Sequence, residues 1–377
     1  MSMSTSLHRG DSSVLGRWWW TVDRPMLFAV LLLILFGIMM IMAAGPAVAN
    51  RIGAPTNYFV MHHLMLLPCG IVLLFGTSLL SPLYIRRLAV VGLLCTFITL
   101  IATLFMGIEI KGARRWISLG FFSLQASEFL KPALAVVSAW MFAEWRKDQG
   151  FRGWLVAMLL YGVSVCLLML QPDFGMTSIV SAVWFTQFFI SGMPLILFVI
   201  GIPLMGLGSV AIYHFFPHVQ SRVNRFLDPD SGDTYQITQS LKAFKHGGWF
   251  GQGPGEGRVK LHLPDAHADF IFAVLGEEFG IFACLLLIAL FVFIFYRGIK
   301  LLLSEKNLFV LLAAAGLLTQ FMLQTFVNIA SSISLIPTKG MTLPFISYGG
   351  SSLLAISWAM GMILALTRKR TSSRVRE

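Results

Sequence analysis

The sequence predicts an all-α polytopic membrane protein with about ten transmembrane helices. Of its 377 residues, 57% are hydrophobic and only 12% are charged, whereas a soluble domain carries roughly 25% charged residues. Apolar runs long enough to cross a bilayer recur along the chain. The net charge of +11 therefore indicates membrane orientation and contact with anionic membrane lipids, and no nucleic acid is expected as a partner.

Ten apolar windows define the predicted spans. They run near 26–49, 58–80, 88–108, 127–145, 154–171, 176–190, 195–213, 270–296, 308–335 and 345–366. A polar segment, 214–267, forms a long periplasmic loop between the seventh and eighth spans. At about 50 residues this loop is too short to bury a core of its own, so we expect it to pack back on the membrane domain.

The positive charges in the loops orient the chain. With a cytoplasmic N-terminus, Lys and Arg are in excess on the inside, which predicts that both termini are cytoplasmic. Residues 1–25 are then a cytoplasmic tail, 26–366 the transmembrane domain and 367–377 a basic cytoplasmic tail. In the first tail, Trp18, Trp19 and Trp20 are predicted to anchor the membrane interface. The outside cluster from Glu109 to Arg115 breaks the charge bias. Either the cluster has a functional role, or the loop is too short to affect the orientation of the chain.

Asp269 lies where the polar loop becomes the eighth apolar span, at or just inside a membrane surface. Glu277 and Glu278 follow about 12 Å deeper, at a helical rise of 1.5 Å per residue. Carboxylates at such depths are costly and persist mainly where they line a cavity or serve a function. We therefore predict Asp269 as the catalytic residue and Glu277 as a charge of the cavity.

Basic residues of the outer loops are the candidate ligands for a polyanionic head group such as a pyrophosphate. They are Lys111, Arg114, Arg115, Arg222, Arg225, Lys242 and Lys260. The glycine-rich run GGWFGQGPGEG lies in the same long loop. It lacks the Walker pattern and a preceding strand, so it is either a plain solvated turn or a place where backbone approaches a ligand closely.

Charged residues inside the apolar spans form a second group. Glu128 and Lys131 share one helix face at the start of the fourth span, and Asp173 follows the fifth. The group is either a structural salt bridge that orients helices or a lining of the functional cavity. The polar stretch 337–352, which contains Ser347, also lies at membrane depth. Irregular backbone there is tolerated only when it is buried in protein or faces a cavity.

A permanent metal site is not expected. The possible ligands lie on one extended segment, where their side chains would not easily meet at one metal ion: His262, Asp265, His267 and Asp269. The H-E-x-x-H pattern is also absent. A loosely held divalent cation, Mg²⁺ or Mn²⁺, shared between Asp269 and substrate phosphates is the expected alternative. The sequence indicates no organic cofactor.

Five segments together resemble the SEDS family of bacteria, the shape, elongation, division and sporulation proteins. They are GARRWISLGFFSLQASEFLK (112–131), QPDFG (171–175), RFLDPD with YQITQSLKA (225–243), LPDAHADFIFAVLGEEFG (263–280) and PTKGMTLPFISYGGSS (337–352). They occur in the family's order and span essentially the whole chain. The forms DAHADFIF and PTKGMTLPFISYGG are more similar to the division member than to the elongation member.

This resemblance implies a ten-span fold with a cavity open to the periplasm. It implies a glycosyltransferase that polymerises lipid II into glycan strands, with undecaprenyl pyrophosphate as the leaving group. The family's essential carboxylate maps onto Asp269, its Trp onto Trp116, and its membrane-embedded charges onto Glu128, Lys131 and Asp173. His267 and Ser347, in the matched segments, join the candidate substrate-binding residues. Expected partners are a class B penicillin-binding protein and other division proteins at the septum of the inner membrane.

Two other functions fit a ten-span protein with buried charges. A transporter or flippase of lipid-linked precursors predicts charge pairs at the membrane midplane and repeat symmetry, yet the polar residues here lie mostly on one outer side. A structural scaffold for division needs neither Asp269 nor a substrate cavity. Replacing Asp269 by Asn therefore separates the enzyme, which loses polymerisation, from the other two.

Overall fold

The computed structural model describes residues 13–110, 113–120, 122–148, 150–193, 196–215, 219–221, 223–224 and 235–369. Three of the predicted site residues, Lys111, Arg222 and Arg225, lie outside these ranges.

Helices build most of the described chain. In order they are α1 (Val14–Thr21), α2 (Arg24–Arg51), α3 (Tyr58–Ser78), α4 (Pro82–Met106), α5 (Ala126–Lys147), α6 (Gly153–Leu170), α7 (Phe174–Ile190), α8 (Ile196–Phe215), α9 (Tyr235–Gly247), α10 (Ile271–Leu302), α11 (Leu308–Ser332) and α12 (Gly350–Leu366). Each predicted span coincides with one of these helices, with α1 and α9 as additions. The all-α polytopic fold class is therefore confirmed.

Length and hydropathy alone identify fewer membrane-crossing helices than the ten predicted. Within the described ranges, 6 helices are long and apolar enough: α2, α3, α4, α6, α10 and α11. The apolar helices α7 and α12 have 17 residues each. Helix α5 carries Glu128 and Lys131 in its first turns and three more charges near its end. It tolerates Glu128 and Lys131 because they are buried where it packs at the centre of the bundle, against α4, α6, α7, α11 and α12, whereas Arg146 and Lys147 are exposed at its end.

Polar contacts connect α1, the start of α2, the end of α3 and the end of α10 at one end of the bundle. Asp23 caps α2 by accepting from the Met26 amide at 3.1 Å, and it also pairs with Arg297 of α10 at 2.8 Å. Trp18 of α1 is only 7% exposed and donates to Ser78 Oγ at 2.9 Å. Helix α1 therefore packs the Trp18 ring against the end of α3, so this side chain contacts protein.

A small antiparallel sheet follows α4 at the opposite end of the bundle. Its strands are β1 (Ile108–Ile110), β2 (Ala113–Ser118) and β3 (Ser123–Leu124), in the order β1-β2-β3. The sequence analysis placed only a loop here, because such short strands give too few residues for a clear alternation. The sheet fixes the register of the charged cluster, with Glu109 opposite Arg114 and Ile108 opposite Trp116.

The glycine-rich segment packs on a break in α10, so this described part of the long loop folds back on the membrane domain, as expected. Gly280 inside α10 has φ 77° and ψ −178°, so the helix is interrupted there. The amides of Gln252 and Gly253 each donate at 3.0 Å to the carbonyls of Glu277 and Glu278. A methyl group at Gly251 would lie 2.2 Å from the Glu278 carbonyl oxygen. These glycines permit close approach of backbone to a helix, which neither earlier interpretation of the segment anticipated.

We expect Gly251→Ala to destabilise the protein by more than 2 kcal/mol, since it adds a clash with helix backbone to the cost of a positive φ. Gly255→Ala is the matched control. Its φ of +85° equals that of Gly251 within a degree, but no atom lies within 4 Å of the added methyl. Thermal unfolding of the two variants in detergent measures the difference. Equal midpoints would show that the contact with α10 is not tight.

Candidate functional site

Asp269 lies in the turn that precedes α10 and is half-buried. Its position near the N-terminus of that helix favours a negative charge. The backbone carbonyl of Asp269 accepts from Asn328 Nδ2 at 3.0 Å. A methyl group at Gly340 would lie 3.4 Å from the Asp269 carboxylate oxygen Oδ2. The loop that joins α11 to α12 therefore passes directly beside this carboxylate.

That loop, residues 333–349, is irregular backbone. Most of residues 341–347 are buried, as the polar stretch at membrane depth predicts, whereas residues 333–340 are half-buried or exposed. Ser347 Oγ donates to the Ala268 carbonyl at 2.6 Å and accepts from the Leu343 amide at 2.8 Å. The Tyr348 amide donates to the His267 carbonyl at 2.9 Å. Ser347 thus holds the backbone next to Asp269, and its hydroxyl is engaged by protein groups.

The predicted pair of Glu128 and Lys131 is present and buried. Lys131 Nζ lies 2.8 Å from Glu128 Oε2, and the two side chains are 1% and 5% exposed. The same ammonium donates to Gln324 Oε1 at 2.7 Å. Because Gln324 also donates to the Thr342 carbonyl at 3.1 Å, the pair is connected to the loop beside Asp269.

Asp173 and Arg115 belong to the same charged group as Glu128 and Lys131. Asp173 caps α7 by accepting from the Met176 amide at 3.2 Å, and it interacts electrostatically with Arg115, Glu128 and Lys131. Arg115 Nε donates to the Gln171 carbonyl at 3.1 Å, and a second nitrogen donates to the Pro172 carbonyl. The structure therefore places Arg115 as a support of the turn before α7.

The remaining predicted residues on this end differ in their exposure. Trp116 is half-buried in β2. Arg114 is exposed and lies 3.5 Å from Glu109. Lys242 is exposed on α9. Arg114 and Lys242 are thus the predicted cations that the described part of the chain leaves at the surface.

Lys260 and Glu277 serve the fold of the long loop. Lys260 is 6% exposed; its ammonium forms a buried ion pair with Glu278 and donates to the Ala43 carbonyl at 3.1 Å. Glu277 accepts from the Val259 and Lys260 amides at 2.7 and 2.9 Å, and from His246 at 3.0 Å. Buried charges need such partners. In this structure Lys260 is therefore placed away from the surface that would meet a pyrophosphate.

His267 packs between aromatic rings two residues before Asp269. Its ring centroid lies 4.2 Å from that of Phe59 and 5.2 Å from that of Tyr348. Burial lowers the pKa of His267 from 6.5 to about 4, an effect that Arg51 reinforces and Asp265 opposes. At neutral pH this side chain would meet a substrate as a neutral imidazole.

The lowered pKa makes folding stability depend on pH. The unfolded chain binds a proton on His267 below about pH 6.5 and the folded chain only below about 4, so stability falls as the pH drops through that window. We expect a loss of about 1 kcal/mol between pH 7.5 and 5.5 from this residue. His267→Phe, which keeps the ring packing, should flatten the pH dependence of the thermal midpoint. An unchanged slope would refute the assignment.

Three residues of this region were missed by the sequence analysis: Gln324, Asn328 and Lys339. Gln324 and Asn328 are buried and polar within an otherwise apolar helix, and their four-residue spacing on one face was the available signal. Lys339 belongs to the loop beside Asp269, and burial lowers its pKa from the usual 10.5. In the sequence, Lys339 is a single basic residue in an outer loop, which does not distinguish it from the loop charges that only orient the chain in the membrane.

The described residues contain no group of three or more His, Cys, Asp or Glu side chains that could hold a metal ion. A metal site made by these residues alone therefore does not fit. Asp269 supplies a single half-buried carboxylate, which fits a cation that would take its other ligands from a phosphorylated substrate.

Comparison with known proteins identifies the family. Residues 24–372 match the family described as "Cell cycle protein", with FtsW, RodA and SpoVE as its namesakes. The chain belongs to this family. A relative from Caulobacter vibrioides, "Probable peptidoglycan glycosyltransferase FtsW", is 46% identical over 365 residues, which cover 96% of this chain and 93% of the relative. A relative of the same name from Coxiella burnetii is 36% identical, with 92% and 96% covered.

Solved structures of the FtsW/RodA/SpoVE family have the same fold. Thermus thermophilus RodA, a "Rod shape determining protein", superposes with a TM-score of 0.68 at 27% identity, covering 93% of this chain and 97% of RodA. A chain from a structure described as "Structural coordination of polymerization and crosslinking by a peptidoglycan synthase complex" has a TM-score of 0.76 at 26% identity, with 93% and 98% covered. The predicted family is therefore confirmed, and the curated relatives named here carry the FtsW name.

Proposed function

We propose that this protein is a peptidoglycan glycosyltransferase that polymerises lipid II into glycan strands during cell division. The observation that carries the proposal is the half-buried Asp269 carboxylate at the start of a membrane helix, beside the Gly340 backbone. The relatives named peptidoglycan glycosyltransferase FtsW support the reaction class. Asp269 lies where a polar sugar can approach from water while an isoprenoid tail stays in lipid.

In this mechanism Asp269 acts as the general base. It takes the proton from the sugar hydroxyl of one substrate as that oxygen bonds to the anomeric carbon of the other. The bond from that carbon to undecaprenyl pyrophosphate breaks, and the pyrophosphate leaves with the bonding electrons. A positioned base contributes about 10²- to 10⁴-fold to such a step.

Cations close to the carboxylate would stabilise the leaving pyrophosphate, because negative charge accumulates on it as the bond breaks. Among the described residues, Lys339 in the neighbouring loop and the exposed Arg114 and Lys242 are the candidates. Lys111, Arg222 and Arg225, which lie outside the described ranges, remain proposed members of this set. A bound Mg²⁺ or Mn²⁺, held by Asp269 and the pyrophosphate, would supply further charge neutralisation.

We also propose the cellular setting. The protein lies in the bacterial inner membrane with both termini cytoplasmic and Asp269 on the periplasmic side, and it acts at the division septum. Its partner is a class B penicillin-binding protein that crosslinks the strands, together with other division proteins. The cations at the α1 end of the bundle, including Arg24, Arg297 and Lys300, support this orientation.

Purified protein and labelled lipid II test the proposal against its alternatives. The enzyme should make long glycan strands, with its partner transpeptidase and a divalent cation present, and strands should be absent when the chain is omitted. A flippase would instead move lipid II across a vesicle membrane without polymerising it. A scaffold would do neither but would still bind the partner.

A further inference from the structure

Helix α11 carries buried amide side chains at four-residue intervals: Gln320, Gln324 and Asn328. This spacing places them on one face of the helix. Burying an amide inside a membrane protein is costly unless its polar atoms are hydrogen-bonded. Both polar atoms of Gln324 and the Nδ2 of Asn328 have such bonds. In the described part of the chain, the Asn328 Oδ1 and both polar atoms of the Gln320 side chain have no hydrogen-bond partner.

Asn328 joins the two segments that form the site. Its Nδ2 donates to the carbonyl of Asp269 at 3.0 Å and to the carbonyl of Met341 at 2.6 Å. An amide nitrogen carries two hydrogens, so a single side chain can satisfy both carbonyls. The turn before α10 and the loop after α11 are therefore fixed to each other through Asn328.

Gln324 joins the same loop to the buried ion pair. Its Nε2 donates to the Thr342 carbonyl at 3.1 Å, and its Oε1 accepts from Lys131 Nζ at 2.7 Å. The Lys131 ammonium thus orients the Gln324 amide through its oxygen, and the amide nitrogen holds the Thr342 carbonyl of the loop. Charge-assisted bonds of this kind are stronger than neutral ones.

We propose that Gln324 and Asn328 are positioning residues that hold the backbone of residues 340–342 beside the Asp269 carboxylate. Lys131 acts on the site through Gln324 and does not need to touch the substrate. This inference rests on the proposed function, since it assigns these residues a part in the same reaction. A shift of about 1 Å in a reacting group can cost about 100-fold in rate, so loss of either amide should slow turnover.

The test compares Gln324→Leu and Asn328→Leu with Gln320→Leu, in full-length protein bound to its transpeptidase partner. The two positioning variants should lower kcat for lipid II polymerisation about 10- to 100-fold and leave KM within about twofold of wild type. Gln320→Leu removes a buried amide from the same face, but Gln320 makes no hydrogen bond to either segment in the described structure, so its kcat should stay within about twofold.

Gly340→Ala provides an independent variant if a leucine variant fails to fold. It changes the same loop directly, with a methyl group 3.4 Å from Asp269 Oδ2 at a φ of +64°. We expect a similar fall in kcat with unchanged KM. The inference is overturned if the leucine variants that fold keep wild-type kcat, if neither folds and Gly340→Ala keeps wild-type kcat, or if Gln320→Leu loses as much. Inactive wild-type protein would refute the proposed function instead.

Discussion

Asp269→Asn should lower lipid II polymerisation by about 10²- to 10⁴-fold while leaving folding and partner binding intact. Asn has nearly the same shape as Asp but cannot accept the proton at neutral pH. The backbone carbonyl of Asp269, which Asn328 holds at 3.0 Å, is unchanged by the substitution. Initial rates of glycan formation at saturating lipid II measure the effect, and thermal unfolding checks the fold.

Asp265→Asn is the matched control for this prediction. Asp265 belongs to the same turn and has a φ of +51°, a conformation that Asn tolerates well. Its backbone carbonyl accepts from the Ala268 amide at 3.0 Å, a bond that the substitution keeps. We expect Asp265→Asn to retain a rate within a few-fold of wild type. Equal losses in the two variants would mean that the turn, and not the Asp269 carboxylate, is what the reaction needs.

Lys131→Met should destabilise the protein by about 3–5 kcal/mol, because removing one member of a buried ion pair leaves the other charge uncompensated. Glu128 would remain 4% exposed within the bundle without the ammonium 2.8 Å away. The midpoint of thermal unfolding in detergent should fall by several degrees. Polymerisation should fall as well, since Gln324 would lose its donor.

Lys306→Met and a double variant complete this test. Lys306 is exposed in the turn before α11, so its loss should change stability by less than about 0.5 kcal/mol. Glu128→Gln with Lys131→Met removes both charges and should recover part of the lost stability. If Lys131→Met is as stable and as active as wild type, the ion-pair assignment is wrong.

The helices were predictable because apolar length is a direct consequence of the bilayer thickness. The window near 270–296 anticipates α10, but not its interruption at Gly280, which depends on contacts with Trp249 and Gly251 far earlier in the chain. The sheet around Trp116 was missed because its strands are short. The packing of Trp18 on the end of α3 was not predictable, because a sequence window does not show that α1 lies against α3.

The candidate site was predictable at positions where a charged residue lies in or next to an apolar segment of the sequence. Asp269, Glu128 and Lys131 stand out because charges in or next to apolar spans need a reason. Lys260 was predicted to bind a pyrophosphate only because it lies in the long outer loop, yet in the structure it forms an ion pair with Glu278. Gln324 and Asn328 carry no charge, so only the folded contacts with Thr342 and Met341 reveal their part.

The structure of Asp269→Asn protein with bound lipid II, determined together with the partner transpeptidase, would test the role of Asp269 as the base. We expect an acceptor sugar hydroxyl within about 3.2 Å of the side chain at 269, the reach of a general base. We also expect the pyrophosphate to lie against the loop containing Lys339. A sugar bound elsewhere, with no hydroxyl near residue 269, would contradict the role of Asp269 as the base.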